Sequence, residues 1–414
     1  MIVRAKFVVP VTGPIIENGA VAVSDGVITD VTSWPASGGH CDHDLGDAVL
    51  FPGFVNTHTH LELSHLQGRV DPGIGFVEWL ESLGRMVRAD DDPAARVAGV
   101  KRGARECIEL GVTTVGDITR RPSETRAVLR DGPLRVVSFG EVIAIGPIRT
   151  MLNARLQAAT QADHVSNHLR IGVSPHSPYT VEPSGFHACR CKADELGLPM
   201  TIHVAETPDE RLFTSAHDGP LRAFLERVDA WDENVECPSA SPVEFLDRIG
   251  CLGPRTLLAH VNYVGAEEIQ ILARSGAHVV YCPRTHAAFG HSPHPYREMR
   301  RAGINVCLGT DSLASNPSLS VLDEARMLYA KYPDEGAEWY LEMITVRAAR
   351  ALGWDDVVGS LSPGMAADMT AVRLETDGPD DPLANVLGSD ELPVQTFING
   401  TVVYPSPREP SCET

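Results

Sequence analysis

No Cys-x-x-Cys pair occurs in this chain, although it holds nine cysteines: Cys41, Cys107, Cys189, Cys191, Cys237, Cys251, Cys282, Cys307 and Cys412. Their scatter and odd number argue against a disulfide framework and point to a reducing compartment. No apolar run is long enough to span a bilayer, and the start, Met1-Ile2-Val3-Arg4-Ala5-Lys6, lacks the apolar core of a signal peptide. The cytoplasm is therefore the expected location. Positive charge is also scarce, with 35 basic against 55 acidic residues and a net charge of -20. Such a field repels nucleic-acid duplexes and anionic membranes, which leaves a small molecule as the expected partner and a homodimer open. Several nucleotide and catalytic signatures are missing as well. There is no Gly-x-Gly-x-x-Gly after a strand, no Walker loop, no His-Glu-x-x-His and no Gly-x-Ser-x-Gly. His60-Leu61-Glu62 mimics half of the cytidine-deaminase signature, but no Pro-Cys-x-x-Cys completes it.

What is present is a rhythm. Hydrophobic residues make up 43% of 414 residues, enough for a sizeable core. Short β-branched runs fall at 51–58, 112–118, 135–143, 170–175, 200–205, 256–261, 277–282 and 304–310. Amphipathic stretches such as Ala94–Leu110, Pro183–Leu196, Gly265–Arg274 and Pro295–Ala302 lie between them. Eight strands alternating with helices predict an α/β protein built on a closed parallel (β/α)8 barrel, with a doubly wound sheet as runner-up. The ends read differently. Short alternating runs (Val8–Val11, Ala20–Val23, Val27–Val31) recur at Met369–Leu374, Gln395–Ile398 and Val402–Tyr404, with Asn399-Gly400 as a hairpin signal. Neither end suffices alone, so both are expected to combine into one small composite β-sandwich domain. The expected boundaries are 1–51 and 358–414 for that domain and 52–357 for the barrel. The long connection at 207–255 contains Pro220, Pro238, Pro242 and Pro254 and is placed to shape substrate access.

The chemistry starts at Pro52-Gly53-Phe54-Val55-Asn56-Thr57-His58-Thr59-His60. Residues i and i+2 of a strand face the same side, so His58 and His60 converge at its end, and imidazole binds divalent metals well. On its own His-x-His also describes two surface histidines. Three further polar residues stand where apolar strands stop: His203, His260 and Asp311. A parallel barrel keeps its active site on that face. Each alone also reads as a hydrogen-bonded strand end; five in barrel register do not.

The chain resembles the amidohydrolase superfamily, in its branch of mononuclear deaminases and chlorohydrolases. The resemblance rests on the segment ending in His58-Thr59-His60, on His203-Val204-Ala205-Glu206, on the His260 strand end and on Gly309-Thr310-Asp311. It also rests on the tail Gly359-Ser360-Leu361-Ser362-Pro363-Gly364-Met365-Ala366-Ala367-Asp368. It implies one divalent metal, zinc foremost with iron or manganese as alternatives, held by His58, His60, His203 and Asp311. Glu206, His260 and Asp311 are implied as the proton-handling and orienting groups, with a fifth-ligand role open for His260. The fourth run, Arg170–His176, has no lysine to carboxylate, which favours a single metal. The implied reaction is release of ammonia from an aminated ring or adenine-like nucleoside by an activated water. Thr59–Ser64, Cys282-Pro283-Arg284 and Gly309–Asn316 are similar to both aminodeoxyfutalosine and adenosylhomocysteine-type deaminases. Displacement of another ring substituent and opening of a cyclic amide are the alternatives, and a non-catalytic binding homologue is a third. Expected substrate contacts are His176, Trp79, Arg284 and Ser315. Structural readings stand beside them: core packing for Trp79, a salt bridge for Arg284, a helix cap for Ser315. Glu62 and His65 are read as supporting or surface residues.

Overall fold

The computed structural model describes residues 1–35, 37, 39–89 and 92–405. The terminal sheet begins with β1 (Ile2–Val8), β2 (Ile16–Ser24), β3 (Val27–Ser33), β4 (His43–Asp44) and β5 (Ala48–Pro52). Eight strands then alternate with helices: β6 (Phe54–Thr59), β7 (Val112–Thr119), β8 (Arg135–Val142), β9 (Leu169–Pro175), β10 (Met200–Val204), β11 (Thr256–His260), β12 (His278–Tyr281) and β13 (Asn305–Leu308). These are parallel and hydrogen-bonded in chain order. The chain returns to the terminal sheet in β14 (Met369–Arg373), β15 (Pro393–Ile398) and β16 (Thr401–Tyr404). No helix among the described residues is long and apolar enough to cross a membrane.

The barrel closes between β6 and β13, and the sequence shows how. Asp311 N and Thr310 N both donate to His58 O, at 3.0 and 3.2 Å, and Asn56 Nδ2 donates to Thr310 Oγ1 at 2.8 Å. Gly309 is required there: a Cβ on it would lie 2.8 Å from His58 Cβ and 2.9 Å from His58 N. Glycine thus lets two strand ends approach until His58 and Asp311 share one site. A broad apolar cluster including Val115, Val136, Ile202, Leu258 and Val306 fills the space between strands and helices.

The terminal strands form the expected composite β domain around their own core of Val3, Val21, Leu50, Met369 and Phe397. They hydrogen-bond along one path, β16-β15-β14-β5-β1-β2-β3, with β4 beside β1, rather than as two separate sheets. The path curls, so that Gly26 in the β2–β3 turn faces Asn399 in the β15–β16 turn. The first strand differs from expectation, running over Ile2–Val8 and stopping where Val8–Val11 was predicted to begin. Pro10 has no N–H for a ladder, and Val11 adopts φ 71°. Arg135 Nε donates to Asp368 Oδ2 at 2.7 Å, tying the barrel's β8 to the segment that re-enters the sheet.

Candidate metal centre and catalytic cavity

Strand geometry delivers His58 and His60 together: His58 lies on β6, His60 directly follows its last residue, Thr59, and their rings are 5.1 Å apart, edge to face. The His203 ring is 4.9 Å from that of His58, and Asp311 Oδ1 lies 3.6 Å from His58 Nε2 and 3.5 Å from His60 Nε2. Ligand-type atoms of His58, His60 and Asp311 fall within 4.8 Å of one another, as do those of His58, His203 and His260. Both ring nitrogens of His58 are buried without a hydrogen-bond partner among the described residues. A buried imidazole with nothing to bond is costly, and a cation on its open side would satisfy it. Burial, reinforced by the His58 ring, lowers the pKa of His60 to about 4. Burial also holds His203 and His260 well below the ordinary histidine value. All three rings are therefore neutral at physiological pH, the form that ligates metal. Burial would raise Asp311, but the adjoining His58 and His60 outweigh it and keep its carboxyl below the usual range. Neutral imidazoles around one carboxylate match the donor set of a divalent ion such as zinc.

The strand ends carry strain where they aim these groups. Ala205, His260, Val261 and Asp311 are non-glycine residues in the left-handed region, at φ 52°, 72°, 55° and 61°. Each costs on the order of 1–3 kcal/mol and persists only when its surroundings over-determine it. Those surroundings are visible. His294 Nε2 donates to His260 O at 2.7 Å, with its ring stacked 3.9 Å from Tyr281. Val261 N donates to Val204 O at 3.0 Å, and Tyr263 N to Ala205 O at 3.0 Å. The left-handed step at Ala205 brings Glu206 back over the site, where Oε1 lies 3.4 Å from His260 Nε2. Burial raises the Glu206 pKa well above normal, and the Asp311 and Glu210 carboxylates add to this. One acid is thus poised to hold a proton beside another that is kept ionised.

Above these groups opens a mainly apolar cavity whose floor includes His60, His203, Glu206, His260 and Asp311. Phe76, Trp79, Ile145 and Tyr179 contribute to its walls, with Phe224 and Leu225 from the helix Pro220–Arg227. The 207–255 connection therefore contributes to the cavity wall. His176 lines the cavity as expected, with Nδ1 2.7 Å from Thr180 Oγ1 and 3.0 Å from Ser177 Oγ, so that Nε2 is the atom left to face a ligand. Trp79 lines it too, while its indole N–H donates to Ala314 O at 3.3 Å.

Arg284 and Ser315 lie outside the cavity lining. Arg284 turns away from the cavity and bonds Ser318 Oγ at 2.8 Å, with Asp323 at 3.4 Å. Ser315 neither lines the cavity nor caps the next helix, which Ser320 caps by accepting from Asp323 N. Its hydroxyl instead donates to Asp311 Oδ2 at 2.7 Å, fixing the carboxylate's orientation. Glu62 is buried and accepts from Thr119 Oγ1 at 2.7 Å and Arg120 N at 2.9 Å. Two acids escaped the sequence reading. Asp117 Oδ1 accepts from Leu61 N at 2.8 Å and so fixes the turn leaving His60. Glu141 lines the cavity.

The profile of the amidohydrolase family matches residues 49–403. The chain belongs to the amidohydrolase family. This amidohydrolase is 29% identical over 430 residues to a 5-methylthioadenosine/S-adenosylhomocysteine deaminase of Symbiobacterium thermophilum, covering 98% of this chain and 93% of the relative. A protein of the same name from Desulfovibrio desulfuricans is 31% identical over 380 residues, covering 87% and 80%. Among solved structures, an adenosine deaminase from Xanthomonas campestris with bound zinc superposes with a TM-score of 0.83 at 26% identity, covering 97% and 92%. The Helicobacter pylori aminofutalosine deaminase shares the fold, with a TM-score of 0.84 at 21% identity, covering 97% and 99%.

Proposed function

We propose that this amidohydrolase is a hydrolytic deaminase of an adenine-like nucleoside or related aminated heterocycle. The observation that carries the reading is the placement of Glu206 and Asp311, two acids of opposite protonation tendency, beneath a cavity walled by rings. The relatives named as nucleoside deaminases support the same class. His58, His60, His203 and Asp311 would hold one zinc ion. When bound, that ion supplies Lewis acidity and makes a water acidic enough to ionise near neutral pH.

The chain's own residues do the rest. Asp311, held by Ser315, orients the attacking water and draws on its proton. Glu206 Oε1 carries a proton to the ring nitrogen next to the attacked carbon. The proton that Asp311 takes from the water passes to the amino group so that it leaves as ammonia, and the remaining hydroxyl proton returns to Glu206. His260 Nε2, 3.4 Å from that oxygen, steadies Glu206 and the oxygen added to the ring. His176 Nε2 is placed to bond the ring edge, and Trp79 and Tyr179 exclude water around it. The reading places the enzyme in the cytoplasm with a small-molecule substrate, in keeping with the net charge of -20.

The test is ammonia release by zinc-loaded enzyme across adenosine, 5-methylthioadenosine, S-adenosylhomocysteine and aminated pyrimidines and pteridines. Turnover of at least one adenine nucleoside is expected. Silence across that panel, with hydrolysis of a cyclic amide or a chlorinated triazine, would overturn the deaminase reading.

A further inference from the structure

Glu141 lies on β8, one residue before the strand ends, and its side chain is only 5% exposed. Among the described residues neither of its oxygens accepts a hydrogen bond. The nearest cationic or ring nitrogens are Arg120 Nε, 3.4 Å from Oε2, and His176 Nε2, 4.0 Å from Oε1. A buried carboxylate ordinarily accepts several hydrogen bonds. Arg120 does not supply them, because its side chain is 47% exposed and a half-solvated ion pair contributes little. Glu141 lines the catalytic cavity and also a neighbouring cleft that carries Arg88, Arg96, Arg120, Arg121 and Arg155. Its lone pairs are therefore available to whatever crosses from one space into the other.

The surroundings select the chemistry of that occupant. An anion would be repelled by Glu141 itself, and an ammonium by the guanidinium groups around it. Neutral hydrogen-bond donors satisfy both constraints, and two carboxylate oxygens match two adjacent hydroxyls. We propose that Glu141 is a specificity-determining residue that accepts hydrogen bonds from a vicinal pair of hydroxyls on the substrate, beside the ring that is hydrolysed. The proposal rests on the nucleoside reading above, but it is testable apart from turnover.

The probes are inosine and its analogue lacking both ribose hydroxyls, with dissociation constants measured by calorimetry on the zinc-loaded enzyme. The wild type is expected to bind inosine at least about tenfold more tightly than the analogue, as for charge-assisted bonds to a buried acceptor. Glu141→Ala should shrink that ratio to within about twofold, and Glu141→Gln, with one acceptor left, should fall between. The ratio is the readout, since a folding defect weakens both probes alike. Equal binding of the two by the wild type, no binding of either, or an Ala variant that keeps the full ratio would each overturn the proposal. Adenosine turnover separates the two claims: a preserved ratio without ammonia release would remove the deaminase reading and leave Glu141 in place.

Discussion

Arg135 and Asp368, at the seam between barrel and terminal sheet, have side chains 6% and 1% exposed; those of His58 and Asp311, at the barrel mouth, are 1% and 9% exposed. Burial is alike, but the partners differ. At the seam the charges meet at 2.7 Å, and Asn399 donates its N–H to Asp368 Oδ1 at 2.9 Å while its side-chain oxygen accepts from Arg135. At the mouth both nitrogens of His58 are unpartnered, Asp311 stays 3.6 Å away, and the strand ends adopt strained left-handed backbone. Polar groups satisfied inside the chain serve the fold. Polar groups left unsatisfied at a strained strand end await something from outside it.

Replacing His58 by Ala is the harshest test of this contrast. Zinc content, read by mass spectrometry, should fall below half an equivalent. kcat/KM for the best substrate should drop about a thousandfold or more, as for loss of a Lewis acid worth several kcal/mol. The metal-free fold should lose no hydrogen bond, because neither nitrogen of the removed ring has a partner among the described residues, so any loss of stability reflects only the small cavity left behind. A variant that keeps zinc and full turnover would erase the distinction between the two regions.

Arg135→Met probes the other side. Removing the guanidinium leaves the Asp368 carboxylate buried and unpaired, which should cost about 3–5 kcal/mol in urea unfolding. Zinc content and turnover per folded molecule should not change. Loss of activity without loss of stability would mean that the seam communicates with the site.

Ser315→Ala tests how far the mouth is built for orientation. It deletes the 2.7 Å bond to Asp311 Oδ2 but leaves the ligand set intact. Zinc should remain, and kcat should fall roughly tenfold, within the range for supporting partners of metal ligands. An unchanged kcat would show that strand geometry alone holds Asp311.

Much of this was legible in the sequence because period and position are local. Apolar runs ending in His58, His203, His260 and Asp311 located the strands and the face they serve, since side-chain alternation follows directly from strand geometry. What was not legible depends on where a chain turns after the strand. Asp311 sits at φ 61°, and in the segment that follows the Ser315 hydroxyl meets the Asp311 carboxylate. Arg284 likewise faces Ser318 and Asp323, partners far along the chain. Asp117 and Glu141 carried the same signal as Asp311, an acid near the end of an apolar strand, yet only contacts across the barrel distinguish them.

Asp117 falls between the two regions and offers the finest test. Its Oδ1 is held by Leu61 N, but among the described residues Oδ2 is buried without a partner and no salt bridge reaches it. Burial is the main cause that pushes its pKa up to about 8. The folded state therefore keeps the proton across a range where the unfolded chain, with a carboxyl near its ordinary value of about 4, has released it. The sign follows. This group's contribution to stability is greatest below pH of about 4 and is lost as pH rises toward about 8, with a slope of at most about 1.4 kcal/mol per pH unit. Asp117→Asn copies the protonated form: it is neutral and keeps an acceptor for Leu61 N. The variant should lose part of the wild-type decline in urea stability between roughly pH 5 and 8, with zinc content retained. Parallel pH curves for the two proteins would show that Asp117 is ionised and compensated at the mouth, in the manner of Asp368 at the seam.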